Sequence, residues 1–292
     1  MKFGIIGNIH KPTLPEVVID LISYFREKKI DFVVSDDVVA LLGKLKRYNL
    51  KESNVASSKS LPANCDVLIA FGGDGTMLAA ARIVGKHQTP ILGINLGKLG
   101  FLADVTITEM KKSIQSIIDH NYLIENRIVL EASSNVKKKK YYGLNDIVID
   151  RGNYKRVIEL ETYVNRQFLV RYSADGLIIT TPTGSTAYSL AAGGPVVTPG
   201  TDVFVITPIA AHTLTARPVV VPDNSIIKVI VKTDVPIHLS ADGQEEAFFK
   251  TPVEFIIRRA SYQVKLIKRK EHSYFELLRT KLLWGRDIRT GK

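Results

Sequence analysis

Short apolar stretches alternate with segments of helical spacing over the first hundred residues. The apolar stretches lie at residues 2–7, 30–34, 67–71 and 90–94. Their length and unbroken apolar character are typical of strands that are covered on both faces. The segment at 14–29 places apolar side chains on one helical face, namely Val17, Val18, Leu21, Ile22 and Phe25. This alternation predicts a parallel sheet with helices on both sides, and ligands are expected beyond the carboxyl ends of its strands.

The pattern changes to short runs rich in Val, Ile, Tyr and Thr after about residue 122. Such runs occur at 127–132, 157–164, 168–172, 177–180, 226–231 and 253–258. With turn residues between them, they predict a largely antiparallel β structure. Helical spacing is present at 110–120 and returns at 274–284. In the latter segment Phe275, Leu278 and Leu282 share one side and are expected to pack as core.

Together these patterns predict an α/β plus β fold in two domains. We expect residues 1–104 to form an N-terminal, Rossmann-like parallel α/β domain, and residues 105–269 to form a C-terminal, largely antiparallel β domain. The segment 270–292 is expected to pack back on the first domain. A chain of 292 residues is long enough for two cores of ordinary size.

The chain carries a formal net charge of +11, with 40 Lys and Arg against 29 Asp and Glu. Such a charge suits nucleic acid or a substrate with several phosphates. No aromatic-rich basic strand or helix accompanies it, so we expect no nucleic-acid partner. The lysine run at 137–140 lies between two strand-like stretches and is predicted to be a solvated hairpin tip.

Cysteine usage and hydropathy bear on where the chain works. The single cysteine, Cys65, cannot form an internal disulfide, which suits a reducing compartment. The apolar start at residues 3–6 is cut short by Asn8, His10 and Lys11, and no segment is long and apolar enough to cross a bilayer. We therefore expect a cytoplasmic protein with no membrane partner.

The turn Gly72-Gly73-Asp74-Gly75-Thr76 follows the apolar stretch at 67–71 and precedes a helical pattern in which Thr76 could cap the first turn. Its glycines let a ligand approach the backbone, and the N–H groups that open a helix attract phosphate. A carboxylate in such a site would repel phosphate unless it holds a divalent metal or accepts a proton. The alternative is that Asp74 only occupies a tight turn, where Asp and Gly are common.

Other glycine-rich patterns are weaker. The stretch at 93–100 has only three residues between Gly93 and Gly97, and Leu99 stands where a P-loop needs Ser or Thr, so we reject a P-loop. No Gly-x-Gly-x-x-Gly is present. The tetrapeptide Ser-Ala-Asp-Gly occurs at 173–176 and again at 240–243, which predicts two hairpin turns or two related edges of one pocket.

A second polar stretch contains Thr181-Pro182-Thr183-Gly184-Ser185-Thr186-Ala187-Tyr188 and supplies hydroxyl donors with an aromatic ring for stacking. Together with the glycine-aspartate turn it resembles the NAD kinase family. The resemblance extends in the family's order over further stretches, which are residues 93–102, Asn145-Asp146, Asp175-Gly176, residues 189–195, His212 with Arg217-Pro218, and Asp242-Gly243-Gln244.

The resemblance implies phosphoryl transfer from ATP, or in some members polyphosphate, to the 2′-hydroxyl of the adenosine ribose of NAD. Asp74 matches the family's catalytic carboxylate, and the phosphate-donor turn comprises Gly72, Gly73, Gly75 and Thr76. Asp146 stands where the family more often has Glu, and Ala211 stands where it usually has Pro, so no role is assigned to His212. The positions that match NAD-binding residues are Asp74, Gly75, Asn145, Asp146, Arg156, Ser173, Asp175, Thr186, Ala187, Tyr188, Ser189, Leu190, Ala191 and Gln244.

The resemblance also implies a divalent cofactor, most simply Mg²⁺, and assembly into a homodimer or homotetramer. No protein side chains are assigned to the metal. Other kinases with a similar turn, which act on diacylglycerol, sphingosine or sugar phosphates, remain alternatives, although the hydroxyl-rich stretch at 181–186 argues against an apolar acceptor pocket. A non-catalytic NAD-sensing protein on the same fold is the third alternative, and the intact Asp74 argues against it.

Overall fold

Strands and helices alternate in the N-terminal part of the chain, as its apolar pattern predicts. The computed structural model describes residues 1–44, 50–268 and 273–284, and it divides into two compact units, Met1–Glu125 with Lys265–Lys292, and Asn126–Val264. The elements of the first unit, in chain order, are β1 (Lys2–Gly7), α1 (Leu14–Glu27), β2 (Asp31–Ser35), α2 (Asp36–Lys44), β3 (Val55–Ala56), β4 (Val67–Gly72), α3 (Asp74–Val84), β5 (Ile91–Asn95), β6 (Val105–Thr106) and α4 (Met110–Ile118).

The sheet of the first unit is parallel, with the order β6, β5, β4, β1, β2, β3. Every residue of β4 is buried, which explains its unbroken apolar sequence. Apolar residues of α1 pack with those of the sheet, for example Phe25 with Phe3. Helix α1 ends at Glu27, two residues earlier than predicted, and Lys29 then has a φ of 55°.

Strands dominate the second unit, again as predicted. Strand β7 (Leu123–Ser134) enters it and β18 (Val253–Lys268) leaves it. The elements between them are β8 (Tyr141–Gly143), β9 (Asp146–Asp150), β10 (Ile158–Val164), β11 (Gln167–Ala174), β12 (Gly176–Thr180), α5 (Tyr188–Ala191), β13 (Val203–Ile209), β14 (Val219–Pro222), β15 (Ile227–Val231), β16 (Ile237–Ala241) and β17 (Glu245–Phe249).

Two antiparallel arrays make up this unit. One has the order β14, β13, β12, β9, β16, β17, and the other has the order β11, β10, β15, β18. Their alternating apolar residues share one core, to which Ile147 and Ile179 contribute from the first array and Leu160 and Phe255 from the second. The α/β plus β fold class is therefore confirmed. Strands β7 and β8 pair antiparallel around the lysine run at 137–140, which is the predicted hairpin connection.

The unit boundary lies about twenty residues after the predicted boundary at residue 104. Strand β6 extends the parallel sheet beside β5, and Met110, Ile114 and Ile117 of α4 are buried in the first core. The sequence pattern placed 105–125 with the second domain, but these residues bury their apolar faces in the first unit. Among the described residues, no helix is long and apolar enough to span a membrane.

A further helix, α6 (Tyr274–Leu282), follows β18 and belongs to the first unit. Of the three residues expected to pack as core, Leu278 is buried at 3% exposure, Leu282 is half-buried, and Phe275 is 59% exposed. Only Leu278 of the predicted apolar face is therefore fully buried. The rest of the segment 270–292, at 270–272 and 285–292, lies outside the described residues.

We expect Leu278→Ala to lower the free energy of unfolding by about 2 kcal/mol or more, because truncating a buried leucine leaves a cavity. Phe275→Ala on the same helix is the matched control and should change it by no more than about 0.5 kcal/mol. Urea unfolding of both variants measures the difference. Equal stabilities of the two variants would show that α6 does not contribute to the core.

Candidate active site

The turn at residues 72–76 joins β4 to α3. Gly72 ends the strand and Asp74 opens the helix, so the turn lies at the positive end of the helix dipole. A Cβ on Gly72 would lie 2.0 Å from Oγ1 of Thr76, which explains the glycine at this position. Gly73 is the N-cap residue of this helix, and its cap involves no side-chain hydrogen bond. The prediction that Thr76 caps α3 is wrong, because Thr76 lies inside the first turn of the helix.

The carboxylate of Asp74 is held by the backbone of a neighbouring loop. Phe101 N–H donates to Oδ2 at 2.9 Å, while Leu102 and Ala103 N–H donate to Oδ1 at 2.9 and 3.2 Å. A Cβ on Gly100 would lie 2.0 Å from Oδ1, so the loop can approach this closely only with glycine there. Hydrogen bonds to an ionised carboxylate are stronger than neutral ones, and these three fix the orientation of Asp74.

A cavity of about 540 Å³ lies against the same turn. Its lining includes Gly73, Gly75 and Thr76 of the turn, together with Asn8 and Lys11, which follow β1. Asp37 also lines it, as do the apolar residues Ile6, Ile9, Ala79 and Ile83. A helix N-terminus with a nearby lysine suits phosphate groups, and the apolar wall suits a planar ring. The sequence pattern did not indicate Lys11, because a lone lysine in a loop has no distinguishing signal.

The described residues do not form a resident metal centre. No group of three or more His, Cys, Asp or Glu side chains within them is arranged to hold a metal ion. Both oxygens of Asp74 already accept backbone N–H groups. Mg²⁺ is commonly bound through one or two carboxylates together with substrate phosphates, which needs no cluster of protein ligands.

In the second unit, the turn that opens β9 carries Asn145 and Asp146. The carboxylate of Asp242 accepts three backbone N–H groups of this turn: Leu144 N–H at 2.8 Å, Asn145 N–H at 2.7 Å and Asp146 N–H at 3.1 Å. Asp242 has a φ of 55°, in the left-handed region, which aspartate adopts more readily than most residues. The sequence pattern identified the Asp-Gly hairpin but not this contact.

The carbonyl groups of the same turn accept hydrogen bonds from threonine side chains at the C-terminal end of β12. Thr180 Oγ1 donates to the Asn145 carbonyl at 2.8 Å, and Thr181 Oγ1 donates to the Leu144 carbonyl at 2.6 Å. A Cβ on Gly184 would lie 2.3 Å from the Asn145 carbonyl oxygen. The turn is thus held at both its N–H and its C=O groups.

Asp146 is buried at 5% exposure. Burial, and then the negative charge of Asp242, raise the pKa of Asp146 to about 7. The side chain therefore changes charge near neutral pH, whereas an exposed aspartate is fully ionised there.

The hydroxyl-rich stretch after β12 forms a 3₁₀ helix, Thr183–Thr186, followed by the short α5. Ser185 Oγ donates to the Pro182 carbonyl at 2.7 Å and accepts Val197 N–H at 3.0 Å. Ser189 Oγ is hydrogen-bonded to Thr207 Oγ1 at 3.0 Å. Both serines are buried, and these hydrogen bonds stabilise the turn. Of the predicted binding positions here, Thr186, Ala187 and Leu190 are half-buried and Ala191 is exposed.

Tyr188 is the aromatic residue of this stretch and is 48% exposed. The pKa of its hydroxyl is raised by partial burial and then by the negative charges of Asp150, Asp175 and Asp146. The structure therefore brings Tyr188 close to two other predicted binding residues, Asp146 and Asp175. An exposed ring beside carboxylates suits a base or ribose that carries hydrogen-bond donors.

The other predicted binding residues have varied surroundings. Asp175 forms a forked ion pair with Arg151, whose Nε lies 2.8 Å from Oδ1, and Arg151 was not identified from the sequence. Ser173 lies half-buried on β11, and its carbonyl accepts a backbone N–H. Arg156 is exposed in the connection between β9 and β10, and Gln244 is exposed in the turn between β16 and β17.

The two Ser-Ala-Asp-Gly segments lie at opposite ends of β9. Gly176 pairs with Asp150 at the end of that strand, whereas Asp242 contacts the turn at its start. Asp242-Gly243 forms the predicted hairpin turn, between β16 and β17. Asp175-Gly176 does not form a hairpin, because β11 and β12 belong to different arrays.

The site combines a glycine-rich turn at the N-terminus of a helix with a carboxylate oriented by backbone N–H groups. On a fold with an α/β unit and an antiparallel β unit, this arrangement is that of a phosphotransferase. Family models described as the ATP-NAD kinase N-terminal domain and the ATP-NAD kinase C-terminal domain match residues 3–122 and 144–269. The chain belongs to the NAD kinase family, which confirms the resemblance. An NAD kinase of Geotalea daltonii is 37% identical over 288 residues, covering 97% of this chain and 99% of that protein. One of Pseudomonas fluorescens (strain Pf0-1) is 39% identical, covering 99% and 98%.

Solved structures agree with the fold. The crystal structure of yeast NADH kinase complexed with NADH has a TM-score of 0.91 at 26% identity, covering 100% of this chain and 90% of that one. An NAD kinase from Archaeoglobus fulgidus in complex with ATP has a TM-score of 0.75 at 24% identity, covering 97% and 99%. The second, at this identity, supports the fold alone.

Proposed function

We propose that this chain is an NAD kinase that transfers the γ-phosphoryl group of ATP to the 2′-hydroxyl of the adenosine ribose of NAD, giving NADP and ADP. The observation that carries the proposal is the carboxylate of Asp74, which opens α3 and is oriented by three backbone N–H groups of a neighbouring loop. Its chain neighbours Gly73 and Gly75 line the cavity of about 540 Å³. The family membership of the chain supports the same reaction.

In this reaction the 2′-oxygen of the ribose forms a bond to the γ-phosphorus, and the bond from that phosphorus to the bridging oxygen of ADP breaks. Asp74 orients the hydroxyl and accepts its proton, which then passes to solvent. The N-terminus of α3 and the ammonium group of Lys11 face the negative charge of the donor phosphates. We expect ATP to enter as its magnesium complex, in which the ion offsets phosphate charge.

The dinucleotide side of the proposal rests on the second unit. The amide of Asn145 and the carboxyl of Asp146 supply hydrogen bonds from a turn that is fixed at both its N–H and C=O groups. The exposed ring of Tyr188 provides a surface for stacking. The remaining NAD-binding residues assigned from the resemblance stay predictions.

Other kinases with a glycine-aspartate turn, and a non-catalytic NAD-sensing protein, are not favoured. Both family models and full-length relatives named NAD kinase match this chain, and Asp74 is present and oriented. Use of polyphosphate as a donor and assembly into a dimer or tetramer remain part of the proposal because the resemblance implies them. A cytoplasmic location remains part of it because of the single cysteine and the absence of a long apolar segment.

The decisive experiment incubates the purified protein with NAD, ATP and Mg²⁺ and identifies the product. Phosphorus NMR should show a 2′-phosphate monoester on the adenosine ribose, and omission of Mg²⁺ should abolish its formation. Absence of any phosphorylated dinucleotide, with the protein folded, would reject the proposed function.

The loop that holds Asp74 gives a prediction for Gly100. We expect Gly100→Ala to lower kcat by about tenfold or more, because the new methyl group must displace the carboxylate from its position. Gly97→Ala is the control, since a Cβ there would have its nearest neighbours at 3.9 Å. Steady-state kinetics measure the difference. Normal turnover by a folded Gly100→Ala protein would show that this loop does not set the position of the reacting carboxylate.

A further inference from the structure

The residue pair predicted to bind NAD lies on a turn whose shape depends on a residue almost a hundred positions away. Asp242 lies 96 to 98 positions from the three N–H groups that it accepts. We propose that Asp242 is a positioning residue that sets the orientation of Asn145 and Asp146 toward the dinucleotide. This inference rests on the proposed function, and it assigns a role to a carboxylate outside the predicted binding residues.

The geometry favours positioning over a role as a simple turn residue. An Asp-Gly hairpin needs no carboxylate contacts, because either residue tolerates the left-handed region. Here both oxygens of Asp242 are directed at consecutive N–H groups, as an anion is bound in a backbone nest. Thr180 and Thr181 hold the carbonyls of the same turn, so Asp242 supplies the remaining half of its hydrogen bonds.

Backbone segments on both sides of the turn are closely packed against it. A Cβ on Gly143 would lie 2.4 Å from the Asp146 carbonyl oxygen and 3.2 Å from Oδ1 of Asp242. A Cβ on Gly184 would lie 2.3 Å from the Asn145 carbonyl oxygen. A shift of the turn after loss of the Asp242 carboxylate would therefore carry the Asn145 and Asp146 side chains with it.

The charge of Asp242 leaves a signature that a structural role alone does not. After burial, Asp242 is the second cause that raises the pKa of Asp146 to about 7. Two tyrosines face this pair. The pKa of the Tyr188 hydroxyl is raised by burial and then by Asp150, Asp175 and Asp146. The pKa of the Tyr262 hydroxyl is raised by burial and then by Tyr142, Asp242 and Glu131. Both tyrosine pKa values are raised from about 10, so of these three side chains only Asp146 changes charge between pH 6 and 8.

The sign of the pH effect follows from this. Ionised Asp146 accepts hydrogen bonds from ribose or carboxamide groups of NAD, and its protonated form accepts them less well. Ionisation increases as pH rises through about 7. The wild-type kcat/KM for NAD should therefore rise by about tenfold between pH 6 and pH 8, which is the change in ionised fraction for such a pKa.

The test uses Asp242→Asn, in which asparagine tolerates the left-handed backbone and keeps one acceptor oxygen. At saturating magnesium-ATP, we expect its KM for NAD at pH 8 to rise at least about tenfold while kcat stays within about threefold. The rise of kcat/KM with pH should move to lower pH, because the neighbouring negative charge is gone. The affinity for NAD, measured by calorimetry, should fall by the same factor.

Asp223→Asn is the matched control. Asp223 is also a buried aspartate of the second unit, and it pairs with Arg259. This variant should lose thermal stability but keep the wild-type KM and pH profile. An Asp242→Asn protein that behaves in the same way, or one that loses only kcat, would overturn the positioning role.

Gly143→Ala provides a second route if Asp242→Asn does not fold. Its methyl group displaces the same turn and leaves the charge of Asp242 in place. We expect a raised KM for NAD with the pH midpoint still near 7. A normal KM in the folded variant would overturn the inference. If the wild type turns over NAD but the variants keep its KM, only the positioning role is rejected. If the wild type shows no turnover, the proposed function is rejected, and calorimetry of NAD binding then tests Asp242 separately.

Discussion

An NAD analogue that lacks only the 2′-hydroxyl of the adenosine ribose is expected to bind as a competitive inhibitor and to give no phosphorylated product. It keeps the base, pyrophosphate and nicotinamide contacts, so the binding side of the site in the second unit still recognises it. The nucleophile is absent, and no improvement in positioning can replace it. The loss should therefore appear in catalysis and not in binding. Mass spectrometry of the reaction mixture measures the product, and inhibition kinetics measure the affinity.

The matched control is the analogue that lacks only the corresponding hydroxyl of the nicotinamide ribose. It should be phosphorylated at a rate comparable to that of NAD, because its reacting hydroxyl is intact. Phosphorylation of the first analogue would disprove the proposed acceptor, and with it the proton transfer assigned to Asp74.

Asp74→Asn is expected to lower turnover by at least about 10²-fold, the scale of a lost general base. The substitution is nearly isosteric, and the amide oxygen can still accept Leu102 and Ala103 N–H. Its amide nitrogen would face Phe101 N–H, so one hydrogen bond is lost while the loop remains close to its place. The affinity for NAD should largely survive. Steady-state kinetics and circular dichroism measure turnover and folding.

Asp66→Asn serves as the control for this variant, because Asp66 also accepts a backbone N–H, from Lys2 at 2.7 Å, in the same unit. Its turnover should equal that of the wild type. A folded Asp74→Asn protein with near-normal turnover would remove Asp74 from the mechanism.

The fold was largely predictable because its signals are local. The buried run of β4, the glycines after it and the helical spacing of α3 lie within twenty consecutive residues. The apolar pattern likewise located α1 and β5. The domain boundary was not predictable in this way, because Met110, Ile114 and Ile117 have the same helical spacing whichever core they enter. Only the parallel pairing of β6 with β5 decides it.

The site was predictable to the extent that motifs mark it. Asp74, Asn145, Asp146 and the stretch before Tyr188 were predicted as site residues from residue type and order. The groups that hold them were not, because backbone N–H groups carry no sequence signal, and those of Phe101 and Leu102 reach Asp74 only through the fold. Arg151 was missed for a related reason, since its partner Asp175 lies 24 positions away, between β11 and β12.

The three hydrogen bonds from the loop to Asp74 also affect which ribose oxygen reacts. An ionised carboxylate has about four acceptor positions, and three are taken by Phe101, Leu102 and Ala103 N–H. About one position is left for a substrate. A carboxylate that accepted no hydrogen bonds from the protein could bind two neighbouring hydroxyls of a ribose and activate either of them. Asp74 can accept a hydrogen bond from a single hydroxyl. The loop at 100–103 therefore contributes, together with the pocket around the sugar, to the choice of one ribose hydroxyl over its neighbour.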